Sequence, residues 1–312
     1  MSDGDQFQSL VPTGTEIVTR AVAGEHPVGS VGVITASPAD NTHSYQIHLV
    51  DGAEISLRRE EFAILKHFQR HGIDEPGAVL AEYDLYDCVI YRCVVGSRAY
   101  GLDGDESDID RRGIYLPPAD LQWSLYGVPE QLENKETDEA YWELRKFLIL
   151  ALKANPNILE CLHTPIVEMV TPLAQELLDM REAFLSKLVY QTYNGYVISQ
   201  FKKLEQDLRT RGEIRWKHAM HLIRLLLSGI TALRERYVPV SVEEHRDRLL
   251  AIRRGEVPWE EIDAWRLELH KEFDAAYEKT SLPERPDYAG ANEFLIKARK
   301  MRAFENGCDG HG

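Results

Sequence analysis

From residue 12 to about residue 60, apolar and polar positions alternate in short runs. Glu16–Val22, Val28–Ile34, Ser44–Val50 and Ala53–Leu57 each read as a strand. Asp51-Gly52, between the last two, is a hairpin signal, because a tight turn needs a left-handed backbone that Gly accepts readily. Four or five short strands in so little chain predict a small SH3-like β-barrel. The period then lengthens, and Glu60–His71 is spaced as a helix. After a linker and helix over 74–88, Val89–Val95 is β-branched and aromatic and stops at Gly96, as a buried strand would. Arg98–Leu102 predicts one or two helical turns. The chain around Asp108–Asp110 opens a second strand, closed by Pro117-Pro118. Gln131–Trp142 approaches a third, and Glu143–Ala154 predicts an amphipathic helix with Leu144, Phe147, Leu148 and Ala151 on its apolar face. From Thr171 onward the period is helical almost to the end. The helices expected there are Phe184–Leu208, Arg215–Tyr237, Arg246–Arg253, Pro258–Lys279 and Asn292–Phe304. The organisation predicted is a barrel over 12–72, an α/β core over 75–170 and a helical domain over 171–305.

Composition narrows the class. A chain of 312 residues, 44% hydrophobic and 28% charged, has the balance of a folded soluble protein. Its net charge of −15 argues against broad coating of nucleic acid but leaves room for a local basic groove. Such a groove has a natural place, since Tyr193–Gly255 holds 13 Lys or Arg against 7 Asp or Glu. The start, Met-Ser-Asp-Gly-Asp, carries neither a basic nor an apolar run, and Leu222–Leu233 is too short to span a bilayer. No membrane partner is expected. Cys88, Cys93, Cys161 and Cys308 lack paired zinc spacing, and reduced thiols in a cytoplasmic protein are the expectation.

The candidate chemistry gathers at residues 96–110. Gly96-Ser97 lets the backbone come close to a bound group, and the first amides of a following helical turn have no internal partner. Asp108 and Asp110 flank Ile109, so on a strand both carboxylates face one way while Ile109 turns to the core. Paired carboxylates repel unless a cation lies between them, and oxygen ligands of this kind suit Mg²⁺. The plainer alternative is a solvated acidic loop, since Asp103, Asp105 and Glu106 lie close by. The closing lysine and Ser/Thr of a P-loop are absent. Further along, Lys217, His221 and Arg224 recur at i, i+4 and i+7 on one helix face, a basic stripe that could equally be solvated surface.

Gly96-Ser97 followed by Asp108-Ile109-Asp110 resembles the signature of the DNA polymerase beta superfamily of nucleotidyltransferases. The fuller strings GSRAYGL, SDIDRRGIY, LRKFLILALKANPNILECL and KHAMHLIRLL are similar to one bacterial and phage family of predicted nucleotidyltransferases, some of them associated with RNA repair. The likeness spans roughly residues 85–300. It implies an α/β (α+β) nucleotidyltransferase core with a mixed sheet. It also implies transfer of a nucleoside monophosphate from an NTP, ATP first among them, to a hydroxyl. Two Mg²⁺ (or Mn²⁺) ions would be held by Asp108, Asp110 and a third carboxylate. Asp138, 28 positions after Asp110, is the first choice for that third ligand and Glu143 the rival, its alternative role being to complement a helix dipole. Gly96, Ser97, Arg98, Lys217, His221 and Arg224 would bind the nucleotide, with Arg111 or Arg112 also in reach of phosphates. The acceptor stays open at this stage: an RNA end, a protein side chain, or none in a catalytically silent nucleotide-binding module.

Overall fold

The computed structural model describes residues 10–38, 40, 43–70, 83–104, 108–211 and 214–308. The linker expected over 74–82 lies outside them. The chain divides into two compact units, residues 1–81 and 82–312.

In the first unit, β1 (Glu16–Thr19), β2 (Val31–Ala36), β3 (Tyr45–Leu49), β4 (Glu54–Leu57) and β5 (Phe62–Ile64) form one antiparallel sheet in the order β4-β3-β2-β1-β5. The hairpin at Asp51-Gly52 forms as expected, with Gly52 at φ +90° and the Asp51 carboxylate accepting from the Ala53 amide at 3.0 Å. Ile17, Ile34, Tyr45, Ile47, Leu49, Leu57 and Phe62 make its core. The sheet is open, with β4 and β5 as its edges, so the described strands do not close the predicted barrel. Glu60–His71 also differs from expectation. A short 3₁₀ turn at Arg59–Glu61 leads into β5, and the helix α1 begins only at Leu65 (Leu65–Arg70). Pairing with β1 sets this, because extended backbone puts Phe62 opposite Thr19 and buries its ring edge-on against Tyr45. Burial of an aromatic ring outweighs weak local helix preference.

The second unit is built on a mixed sheet of β6 (Val89–Val95), β7 (Asp110–Tyr115), β8 (Gln131–Asn134), β9 (Glu139–Glu143) and β10 (Val167–Val170), in the order β10-β6-β7-β9-β8. β7 runs parallel to β9 and antiparallel to β6. Its helices are α2 (Gly96–Tyr100), α3 (Ala119–Trp123), α4 (Leu144–Leu152), α5 (Pro156–His163), α6 (Pro172–Asp179), α7 (Leu188–Arg211), α8 (Trp216–Glu235), α9 (Arg246–Arg254), α10 (Trp259–Lys279) and α11 (Tyr288–Cys308). Caps fix several starts. Asn155 accepts from the amides of Asn157 and Ile158 ahead of α5, and Thr171 from that of Ala174 ahead of α6, each followed by Pro at the first helical position. One continuous core runs from Tyr91, Cys93 and Ile114 on the sheet through Phe147 and Leu159 to Tyr193, Leu226 and Phe273 of the later helices. The expected core and the expected helical part therefore share a single interior. Among the described residues no helix is long and apolar enough to cross a membrane.

One buried group makes this interior acid-sensitive. His163 ends α5 with both ring nitrogens lacking a hydrogen-bond partner among the described residues, its ring edge-on to Tyr237 at 5.2 Å. Burial, with the Arg181 charge adding to it, pushes its pKa down from 6.5 to about 3. Above pH 6.5 the imidazole is neutral in both folded and unfolded chains and has no effect on the pH dependence. Below that, only the unfolded chain takes up the proton. Stability should then fall by up to about 1.4 kcal/mol per pH unit from this residue alone. Urea titrations at falling pH, with His163→Phe alongside wild type, check this: the variant should lose one proton's worth of slope, and an unchanged slope would count against it.

Candidate active site

Strand β6 ends at Val95, and the chain turns at once into α2. Gly96 makes this turn at φ +71°. A Cβ on Gly96 would overlap Oδ2 of Asp110, so only glycine leaves room for that carboxylate. Asp110 opens β7 directly opposite Val95. The register of the β6–β7 pair thus brings the glycine turn and the carboxylate together.

Asp138 joins them from the β8–β9 turn, in a left-handed backbone at φ +50°. Asp and Asn tolerate this conformation better than most residues. Arg112 holds it there. Its Nη1 donates to the Asp138 carbonyl at 2.6 Å, and its Nη2 reaches Oδ1 of Asp138 at 3.1 Å and Oδ1 of Asp110 at 3.4 Å. The Arg111 amide also donates to the Asp138 carbonyl, at 3.1 Å. The two carboxyl groups hydrogen-bond to each other. Burial, then that contact, raises the Asp110 pKa, while accepting the hydrogen bond lowers that of Asp138. Two carboxylates brought together in this way fit a divalent cation, which hard oxygen donors would hold between them.

Asp108 is exposed and lies ahead of β7, which begins at Asp110, so the two do not share a strand face as expected. Among the described residues no group of three or more His, Cys, Asp or Glu is gathered as a metal site; the assembled part is the Asp110–Asp138 pair.

The rival third ligand, Glu143, is elsewhere. It pairs opposite Tyr115 at the far end of β7, about 16 Å along the strand from Asp110. There it is buried and caps α4, accepting from the Lys146 amide at 3.1 Å and from Gln122 Nε2 at 2.9 Å. Arg111 turns away to Glu168 at 2.8 Å, and Arg112 is spent on the carboxylate pair.

Lys217 and His221 stand in the first two turns of α8. Lys217 is exposed, and its charge is felt at Asp110. His221, one turn on, is held neutral down to about pH 3, first by burial and then by the charges of Arg224, Lys217, His218 and Arg253. Arg224 does not face this space. It is buried, bonded through Nη1 to Glu160 Oε1 at 2.5 Å, with its guanidinium 3.7 Å over the Tyr100 ring. Tyr100 donates in turn to Glu160 Oε2 at 2.6 Å. A charge buried at that depth needs its partner, and the pairing withdraws Arg224 from any ligand. Ser97 is half-buried and Arg98 exposed on α2. Two arginines expected only as the ends of a helix stand near by. Arg246 and Arg253 of α9 donate to the carbonyls of Gly101 and Leu102, each at 2.7 Å.

Residues 66–297 match the RlaP family, the RNA repair pathway DNA polymerase beta family. The chain belongs to this family. The matched span holds the β6–β7 turn, both paired carboxylates and α8, so every element of the site lies inside the RlaP region. The chain is also similar to the uncharacterized protein YcgL of Bacillus subtilis, with 32% identity over 146 residues. That match covers 45% of this chain and 54% of YcgL, so it spans about half of the relative's length.

Proposed function

We propose that this RlaP-family chain is a metal-dependent nucleotidyltransferase. It transfers a nucleoside monophosphate from an NTP, ATP first among them, to a hydroxyl at an RNA end, breaking the α–β phosphoanhydride bond and releasing pyrophosphate. The observation that carries this reading is the carboxylate pair Asp110–Asp138, bridged by Arg112 Nη2, with Asp110 set against the Gly96 turn. Asp110 and Asp138 would hold Mg²⁺ or Mn²⁺, with Asp108 near enough in sequence to complete the set. A divalent ion there supplies charge neutralisation on the phosphates and a lowered pKa for the attacking hydroxyl. Ser97 and Arg98, directly after the Gly96 turn, would border a phosphate approaching Asp110. Lys217 brings a mobile point charge to the phosphates. His221, neutral at any working pH, offers a hydrogen bond without charge. Asp138 is ionised and about half exposed, at 49%, so it can accept the proton of an incoming hydroxyl. The protein's share of the catalysis is placement and electrostatics, as in other phosphoryl transfers.

The test is incubation with each labelled NTP, a divalent ion, and RNA and protein acceptors together. Label on RNA ends supports the reading. Label on protein would replace the acceptor, and label on neither would overturn transfer. Lys217→Ala separates the nucleotide contact from mere surface charge. Calorimetry should show NTP affinity falling about tenfold, the scale of one charged contact, with nucleoside affinity unchanged. Equal losses for both ligands would remove Lys217 from the phosphate site.

A further inference from the structure

Helix α9 carries four arginines and one aspartate between Arg246 and Arg254, in a chain of net charge −15. Two of the four are occupied within the fold. Arg248 lies 3.7 Å over the Trp265 ring with Glu261 at 3.6 Å, and Arg254 is bonded twice to Glu256. The other two, Arg246 and Arg253, seven residues apart, converge on consecutive carbonyls. Arg246 Nε donates to Gly101 and Arg253 Nη1 to Leu102. Each contact uses one of five guanidinium donors, and both side chains are exposed. Asp247, itself fully exposed, approaches Arg246 only to 3.8 Å, and among the described residues Arg253 has no carboxylate partner.

The place is as informative as the charge. Gly101 and Leu102 directly follow α2, whose other end is the Gly96 turn at Asp110. Five helical residues separate the two ends by about 7 Å. The arginines are thus anchored to the segment that forms the site, at the end of α2 away from Gly96 and Asp110. Arg253 is also close enough to α8 for its charge to be felt at His221, alongside that of Lys217. Helix α9 packs directly on α8, so exposed Lys217, Arg253 and Arg246 stand on two adjoining helices.

We propose that Arg246 and Arg253 form a binding site for the phosphodiester backbone of the acceptor strand, gripping phosphates of a single-stranded RNA end next to the transferring centre. The inference rests on the nucleotidyltransferase reading above and names residues that hold its acceptor. Planar guanidinium forks with free donors suit phosphate oxygens, and backbone contacts of this kind position a strand without reading its sequence. The triphosphate of the NTP offers the same phosphate chemistry, but its place is at Asp110 and Lys217, at the other end of α2.

The experiment compares wild type with the double variants Arg246→Gln/Arg253→Gln and Arg246→Lys/Arg253→Lys. Fluorescence polarisation follows a labelled single-stranded RNA with a free 3′ hydroxyl over a range of salt, and calorimetry follows ATP. The Gln pair should weaken RNA binding at least tenfold and flatten the salt dependence by about one to two units of log–log slope. ATP affinity should stay within twofold of wild type. The Lys pair, which keeps the charge and loses the fork, should recover most of the RNA affinity. Parallel loss of ATP affinity would assign the arginines to the triphosphate and overturn the proposal. So would an unchanged RNA affinity or slope, wild type that binds no RNA even at low salt, or a folded Lys pair as weak as the Gln pair, which would make them loop braces. Failure of the parent reading looks different, because ATP binding and label transfer are then missing from wild type itself.

Discussion

Asp110→Asn is expected to abolish nucleotidyl transfer, by about 10³-fold or more, while the protein stays folded. Asp110 sits where the glycine turn, Asp138, Arg112 and the charge of Lys217 meet. A bound divalent ion contributes several kcal/mol of charge stabilisation to reactions of this class, and each 1.4 kcal/mol or so is a factor of ten in rate. Folding should not suffer, because the substitution keeps the shape and removes a carboxylate whose charged form burial already disfavours. Calorimetry with Mn²⁺ should show the ion's affinity collapsing in the variant, and thermal melting should show a midpoint equal to or above that of wild type. Gly96→Ala offers an orthogonal check. Its methyl group enters the space of the Asp110 carboxylate and its backbone is held at φ +71°, so activity should fall with every carboxylate retained. Wild-type turnover in Asp110→Asn, with an acceptor established, would remove the carboxylate pair from the reaction.

The largest effect on stability is expected at Arg224. Replacing it by alanine leaves Glu160 buried and charged, and loss of one partner from such a pair costs about 3–5 kcal/mol. Urea denaturation measures this directly. The double variant Glu160→Leu/Arg224→Met, which fills the volume without charge, should recover most of the loss, since apolar replacements of buried ion pairs are often neutral. If Arg224→Ala unfolds like wild type, the pair is not the internal tie that its 2.5 Å contact indicates.

These two residues also mark how far the sequence could be read. Gly96 and Asp110 were named in the sequence from their motif, the glycine as room for a bound group; the Asp110 carboxylate itself lies against it, a contact that only the β6–β7 register makes. Asp138 was named from the family resemblance and its place ahead of a strand-like run; its left-handed turn was not legible, since φ there is set by pairing of β8 and β9. Arg224 was misplaced because a recurrence at i, i+4 and i+7 gives a face and not its direction. The signal that could have placed it was its company. Leu222, Ile223, Leu225 and Leu226 surround it, and Glu160 sits in an equally apolar run, so each charge implied a partner inside. Glu143 shows a similar limit. A glutamate just ahead of an apolar helix fits both a cap and a ligand, and only the strand register put it at the far end of β7. The strands β5 and β10 escaped the sequence pattern because each is short and is fixed by pairing with distant chain, β1 and β6 respectively. The barrel prediction failed at closure, which depends on whether edge strands meet and not on how each strand is patterned.

The buried Glu160–Arg224 pair has a bearing on how such chains can recombine. Glu160 belongs to the segment that completes the sheet layer, and Arg224 to the helix that brings Lys217 to the carboxylates. A crossover between two relatives anywhere from residue 161 to residue 223 would draw the acid from one parent and the base from the other. If either parent uses a different pair there, the hybrid inherits a lone interior charge and a displaced Lys217. The two segments can then be exchanged only together, and lineages that shuffle these halves should keep 160 and 224 matched, or lose the charges in step.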